Sequence, residues 1–138
     1  MFSISAKGVY GVSAVLELAL GYDRGAMQIR EIAETQNIPR HYLEQILVVL
    51  KRGGIVKSFR GASGGYSLAE EPSELRLLDV ITLLEGPLNV AASGNRGDAR
   101  LNGLWQDLAE GAIKRLDRSF ADLIDEIHLA EKRLNFSI

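Results

Sequence analysis

Apolar residues recur at helical spacing in three successive segments at the start of the chain. Across residues 5–22 they form a wide apolar face, with Ser5 placed to cap the helix and Gly21 at its end. A second helix is predicted at about residues 28–36. The connection Asn37-Ile38-Pro39 then leads into a third helix, which is predicted to end at about Arg52, before two glycines.

The third predicted helix separates an apolar stripe from a polar face. Its stripe has the spacing i, i+3, i+4, i+7 that one buried helix face requires, and it consists of Leu43, Ile46, Leu47 and Leu50. The opposite face carries His41, Glu44, Gln45, Val48 and Arg52. Two short helices joined by a tight turn, the second with a polar N-terminal end, are typical of a helix-turn-helix.

A glycine-rich hairpin is predicted directly after the third helix. Residues 55–59 and 65–68 have strand character, and residues 60–64 form the tip, with Arg60 as its cation. Glycines in and beside this tip would let the backbone approach a surface closely. A phosphate-binding loop needs a strand followed by a helix, and this loop joins two strands. The order helix, helix, helix, hairpin predicts a mainly α fold, a winged helix-turn-helix with a two-stranded wing.

The second half of the chain predicts a fourth helix, a loop and one long helix. The fourth helix ends at Gly86-Pro87, and the apolar period is lost until about Arg100. Apolar residues then recur at steps of mainly three or four over residues 101–134, which predicts a helix about 50 Å long. A domain of this size is only about 30 Å across, so part of the stripe should pack against a second copy. The predicted dimer interface contains Leu108, Ile113, Leu116, Phe120, Leu123 and Ile127.

Two alternatives stay open for this C-terminal half. A break at Gly111 would let the two halves of the helix fold back in a monomer. Trp105 and Phe120 are expected either in the core or in the dimer interface, rather than stacked on an effector.

Composition excludes several classes of protein. The chain has 138 residues, no cysteine and two histidines, and no metal-ligand spacing is present. We find no plausible nucleophile and base pair, so an enzyme is the least favoured class. No apolar run is long enough to span a membrane, and no export signal leads the chain, so a cytoplasmic protein is expected.

Charge is unevenly distributed along the chain. The net charge is only -2, but residues 40–66 carry five basic residues and one acidic residue, whereas residues 77–138 have a balance of -3. A basic centre of this kind indicates an anionic partner, although an ordinary solvated face would have the same composition.

The polar residues of the third helix and the wing are candidates for DNA contacts. Gln45 can form two hydrogen bonds with adenine, and Arg40 can bind guanine or a phosphate. Glu44 can accept a hydrogen bond from the amino group of cytosine. Arg60 is placed for a narrow minor groove. Glu44 could instead pair with Arg40, Tyr42 could pack under the helix, and His41 could simply be solvated. The predicted DNA-binding set is Lys7, Gln28, Arg40, His41, Tyr42, Glu44, Gln45, Lys51, Arg52, Lys57, Arg60, Ser63 and Gly64.

Four motifs in collinear order resemble the family of winged-helix transcription regulators that includes IscR and CymR. They are Tyr42-Leu43-Glu44-Gln45, the run from Arg60 to Leu68, Leu84-Glu85-Gly86-Pro87-Leu88 and Leu104-Trp105-Gln106-Asp107-Leu108. The resemblance implies a homodimer built on the C-terminal helices that binds a palindromic DNA site. Many members hold an iron-sulfur cluster on three cysteines before the long helix, but residues 89–102 contain none here, so we expect no cofactor.

Members with few cysteines resemble the CymR branch, a repressor of cysteine and sulfur metabolism that works with cysteine synthase. The chain ends Asn135-Phe136-Ser137-Ile138. Serine acetyltransferases similarly end in isoleucine, whose free carboxylate enters the cysteine synthase active site. The resemblance therefore implies a partner-binding tail of Phe136, Ser137 and Ile138, although a motif this short also arises by chance.

The sequence thus predicts a DNA-binding domain at residues 1–86 and a sensor-type loop at 87–100. A dimerisation helix at 101–134 and a tail at 135–138 follow. A small-molecule-responsive regulator using the loop at 90–100 and a pure protein-interaction module remain as alternatives.

Overall fold

The computed structural model describes residues 3–88 and 97–136. Six α-helices and one hairpin are present in these two stretches. The helices are α1 (Ala6–Leu20), α2 (Ile29–Gln36), α3 (Arg40–Arg52), α4 (Leu77–Glu85), α5 (Asn102–Leu116) and α6 (Phe120–Phe136). Strands β1 (Val56–Phe59) and β2 (Gly65–Leu68) pair antiparallel, with Val56 opposite Leu68 and Phe59 opposite Gly65. None of the described helices is long and apolar enough to cross a membrane.

Helices α1 to α4 and the base of the hairpin enclose one apolar core. The predicted α3 stripe is confirmed, because all four of its residues are buried. The side chains of Val15, Leu18, Ile32 and Val80 meet this stripe in the core. The predicted winged-helix fold is thereby confirmed, with a turn of three residues between α2 and α3. Asn37 in that turn adopts the left-handed conformation, which asparagine tolerates better than most residues.

Helix α1 packs very closely on α4 because two glycines face that helix. A Cβ on Gly8 would overlap the Glu85 carboxylate, and a Cβ on Gly11 would overlap the Leu84 side chain. Ser5 caps α1 as predicted, since its side chain accepts a hydrogen bond from the Gly8 backbone. The start of α1 is therefore fixed against the end of α4.

The C-terminal segment consists of two helices, so the prediction of one continuous helix over residues 101–134 is wrong. The chain leaves α5 after Leu116 and begins α6 at Phe120. In between, the backbone bonds to residues at and just before the start of α4: Leu77 N donates to Arg118 O (2.8 Å), and Phe120 N donates to Leu75 O (3.0 Å). Ser119 then caps α6 through its hydroxyl, which accepts from Asp122 N at 3.0 Å. The break lies at residues 117–119, whereas Gly111, the alternative breakpoint, is inside α5.

This break brings Phe120 into the core of its own protomer. Its side chain is 0% exposed and belongs to the core cluster of the winged-helix domain. Phe120 is therefore not a dimer contact, which corrects its assignment to the interface. Leu123 and Ile124 follow it and pack on the same core.

Helix α5 begins after a short capped turn. Asp98 accepts hydrogen bonds from the Arg100 backbone (2.9 Å) and guanidinium (2.6 Å), ahead of the 3₁₀ turn Ala99–Leu101. The side-chain bond from Arg100, helped by the backbone bond, lowers the pKa of Asp98 below its ordinary value. The middle of the predicted loop, residues 89–96, lies outside the described residues.

Candidate nucleic-acid interface

Helix α3 presents its polar face to solvent because its apolar stripe is buried in the core. Six of the predicted DNA-contact residues are exposed on this helix: Arg40, His41, Glu44, Gln45, Lys51 and Arg52. The face is cationic at both ends and carries neutral or acidic groups between them. A helix of this kind can enter a major groove with its N-terminal side chains toward the base edges.

Two side chains in the first turn of α3, Arg40 and Tyr42, make contacts that the sequence left as alternatives. Arg40 and Glu44 form an exposed ion pair of 3.7 Å between side-chain nitrogen and oxygen. Such a pair contributes only about 0.3–0.5 kcal/mol, so both side chains stay available to DNA. Tyr42 is half-buried and packs edge-on against Tyr10, with ring centroids 5.5 Å apart. The Tyr42 ring therefore packs against α1, in agreement with the alternative that it packs under the helix.

A groove between α1 and α3 brings Lys7 next to the recognition helix. The groove measures about 260 Å³ and is lined by Lys7, Tyr42, Gln45, Ile46 and Val49. Lys7 comes from the first turn of α1, so the groove joins two segments that are far apart in the chain. This placement puts a cation beside Gln45, the predicted adenine contact.

The wing is attached to the helix-turn-helix along one edge. Met27 and Tyr66 exchange backbone hydrogen bonds of 2.8 and 2.7 Å, and the Gln28 side chain donates to Ala62 O at 3.4 Å. Arg60 and Ser63 are exposed at the tip, and Lys57 is exposed along β1. Gln28 is also exposed, at the start of α2. The attachment therefore gives Arg60 a defined position relative to α3.

Two wing glycines have structural roles that the sequence did not separate. Gly65 has φ of 140°, and a Cβ there would overlap the carbonyl of Met27. Gly64 is buried, and its N–H donates to Gly61 O at 2.9 Å. A Cβ on Gly64 would overlap the carbonyl of Phe59. Gly64 is buried and shapes the turn, so its assignment as a DNA contact is corrected.

Val48 is a candidate contact that the predicted DNA-binding set omits. It is exposed on the polar face of α3, one turn after Glu44. An apolar side chain in the major groove can pack on the methyl group of thymine. Its position on the face opposite the buried stripe was the signal that could have identified it.

The remaining predicted contacts lie in the C-terminal half. Leu108 and Ile113 are exposed on α5, whereas Leu116, Leu123 and Ile127 are half-buried. Phe136 is 92% exposed at the end of α6, and Ser137 and Ile138 lie outside the described residues.

A helix-turn-helix with an attached basic wing and an outward polar recognition helix defines a DNA-binding regulator of the winged-helix class. Comparison with known sequences agrees. The chain belongs to the Rrf2 family: the family model described as "Rrf2: Iron-dependent Transcriptional regulator" matches residues 4–131.

Named relatives and solved structures support this membership. The chain is 38% identical over 114 residues to the HTH-type transcriptional regulator CymR of Bacillus subtilis, covering 83% of each chain. The solved structure of that regulator, described as the global cysteine regulator, matches with a TM-score of 0.85 over 91% of this chain and 98% of that one. The structure of T. potens IscR matches with a TM-score of 0.79 and 35% identity, over 94% and 90% of the two chains. These relatives are transcriptional regulators, which supports the expectation that the chain is not an enzyme.

The iron in the family description does not fit the residues of this chain. The sequence contains no cysteine, so no thiolate can hold an iron-sulfur cluster. Residues 3–88 and 97–136 contain no group of three His, Asp or Glu side chains suited to a metal ion. Residues 89–96, Asn-Val-Ala-Ala-Ser-Gly-Asn-Arg, include no such ligand in their sequence.

Proposed function

We propose that the protein is a homodimeric transcriptional regulator that binds a palindromic operator with the α3 helix and the wing of each protomer. The observation that carries this proposal is the outward polar face of α3 beside a wing held by Met27 and Gln28. In this arrangement α3 enters the major groove while Arg60 reaches the neighbouring minor groove. The proposed location of this regulator is the cytoplasm.

The predicted contact side chains divide into base-reading and phosphate-binding groups. Arg40, Glu44 and Gln45 carry the hydrogen-bonding groups that discriminate base edges. His41 and the hydroxyl of Tyr42 flank them. The phosphate-binding group consists of Lys7, Gln28, Lys51, Arg52, Lys57 and Ser63.

Selection of bound duplexes from a random pool tests this proposal directly. A dimeric regulator should enrich a palindrome whose half-sites are separated by whole turns of the double helix. If the helix-turn-helix serves only protein contacts, no sequence should be enriched, and the proposed function would fail.

Dimerisation is proposed through α5. No residue of this 15-residue helix is buried within the protomer. Its large apolar residues are exposed as well: Leu104 is 50% exposed, Leu108 45% and Ile113 38%. A helix that exposes several large apolar residues along its length indicates a partner surface. A second copy is the simplest partner, because the same stripe is then available on both sides of a twofold axis.

We further propose that the regulated genes serve cysteine and sulfur metabolism and that the repressor acts with cysteine synthase through its tail. The support is the similarity to a regulator described as the global cysteine regulator, together with the segment Phe136-Ser137-Ile138. Phe136, the first residue of the proposed tail, is exposed at the end of α6 and is therefore accessible to a partner.

Deletion of the last two residues tests the tail. Purified full-length protein should sediment as a complex with purified cysteine synthase, and the variant lacking Ser137 and Ile138 should not. Operator affinity of the isolated regulator should be the same for both. A complex that forms equally well without the two residues would remove the tail from the mechanism.

A small-molecule-responsive regulator is the second candidate, and one groove favours it. Leu78, Asp79, Thr82 and Leu83 of α4 line an open, mainly apolar groove of about 550 Å³ together with Ile113 of α5. Operator affinity measured with and without free cysteine, with no protein partner present, separates the two candidates. A shift caused by the amino acid alone would favour this second function.

A further inference from the structure

One carboxylate joins the end of α4 to the start of α1. Glu85 Oε1 accepts hydrogen bonds from the Ser5 backbone N–H at 2.8 Å and from the Ser5 hydroxyl at 2.6 Å. The same hydroxyl accepts from Gly8 N at 3.3 Å. Glu85 therefore supports the cap of a helix that begins 80 residues earlier in the chain.

The first turn of helix α1 contains no acidic residue of its own. The N-terminus of a helix carries unsatisfied N–H groups and a partial positive charge, both of which favour a carboxylate. Gly8 provides the necessary space, because a Cβ there would overlap the Glu85 oxygen.

The same turn of α1 carries Lys7 into the groove beside α3. Lys7 is half-buried there, next to Tyr42 and Gln45. In the part of the chain that the structure describes, no side chain forms an ion pair with Lys7. A cation at the edge of a recognition helix, without an internal counterion, fits a phosphate of the DNA backbone.

We propose that Glu85 is a positioning residue for operator binding: it fixes the first turn of α1 and so holds Lys7 where it binds a backbone phosphate. This inference rests on the DNA-binding function proposed above and adds a residue that contacts no DNA itself. The sign of its effect is diagnostic. Removal of an acidic side chain would by charge alone strengthen binding to a polyanion, whereas loss of a positioning residue weakens it.

The experiment measures operator affinity of the full chain over a series of salt concentrations, using a duplex obtained by selection. Lys7→Ala should reduce the slope of log affinity against log salt by about one for each protomer that loses its phosphate contact. Affinity should fall roughly tenfold for each contact that is lost, the size expected for one charged hydrogen bond. Glu85→Ala should reduce the slope and the affinity in the same direction.

A double variant separates positioning from general stabilisation. If Glu85 acts through Lys7, the variant with both substitutions should bind no more weakly than Lys7→Ala alone. Glu85→Gln retains an oxygen acceptor for Ser5 and should lose less affinity than Glu85→Ala. Glu131→Ala, which removes an exposed acidic residue on α6, is the matched control and should leave the slope unchanged.

Gly8→Ala perturbs the same contact from the other side. The added Cβ should displace the Glu85 carboxylate and reduce the salt slope. If Glu85→Ala does not fold, the Gly8→Ala variant alone tests whether Glu85 positions Lys7. Folded Glu85→Ala and Gly8→Ala proteins with the wild-type slope would overturn the proposal, and so would additive losses in the double variant. Failure of the wild-type protein to bind any duplex would instead refute the proposed function.

Discussion

Arg60 is the exposed cation at the tip of the wing, and we propose that its guanidinium enters the minor groove. Arg60→Ala should weaken operator binding by about 1–3 kcal/mol, because the loss removes a group from the most negative part of the DNA surface. Fluorescence anisotropy at fixed salt measures this change. Arg24→Ala is a suitable control, since Arg24 is an exposed arginine outside the predicted contact set. Equal affinities of the Arg60 variant and the wild type would exclude the role.

Gly65 is required by the backbone where the wing meets α2. Gly65→Ala should lower the free energy of unfolding by about 1–3 kcal/mol, because φ of 140° is strained for alanine and the Cβ would overlap the Met27 carbonyl. Urea denaturation measures the change.

Gly103→Ala provides the opposite case, because Gly103 lies in α5 with open space around it. That substitution should stabilise the protein by about 0.5–1 kcal/mol.

At the residue scale, the sequence predicted positions that depend on local periodicity and missed those that depend on tertiary contacts. The spacing of Leu43, Ile46, Leu47 and Leu50 was sufficient because a helix presents such residues on one side. The contact between Glu85 and Ser5 spans 80 residues, and no local pattern reports it. The burial of Gly64 also depends on how the turn closes and not on its sequence alone.

At the scale of elements, the wing and the first four helices were predictable because caps, glycines and apolar periods agree. The division of the C-terminal helix was not, because the apolar period continues across it. Leu116 and Phe120 are four residues apart, as in an uninterrupted helix. Tertiary backbone hydrogen bonds of Arg118 and Phe120 to residues at and just before the start of α4 interrupt it. Burial of Phe120 in the core accompanies this break.

Helix α5 supplies a prediction at the same scale. Leu108→Glu should convert the dimer to a monomer, because it places a charge in the centre of the proposed apolar interface. Sedimentation velocity measures the oligomeric state. Leu20→Glu is the matched control, since Leu20 on α1 is equally exposed and lies outside the predicted interface. A Leu108→Glu protein that remains dimeric would contradict an interface built on α5.

At the scale of the whole molecule, the net charge of -2 conceals a separation of charge. The basic residues of the central segment lie on α3 and the wing, whereas the C-terminal helices are acidic on balance. Affinity for DNA therefore depends on the local face and not on the total charge. Two such faces, related by the twofold axis of a dimer, would bind one palindrome together.

The salt dependence of operator binding tests this picture. Each protomer contributes four cations to the proposed phosphate contacts: Lys7, Lys51, Arg52 and Lys57. Eight contacts per dimer predict that log affinity falls with log salt with a slope of about -7, whereas one bound protomer predicts about -4. The double variant Lys51→Ala, Lys57→Ala should halve the magnitude of the dimer slope, because it removes half of these contacts. A wild-type slope near -4 would mean that only one protomer binds the operator.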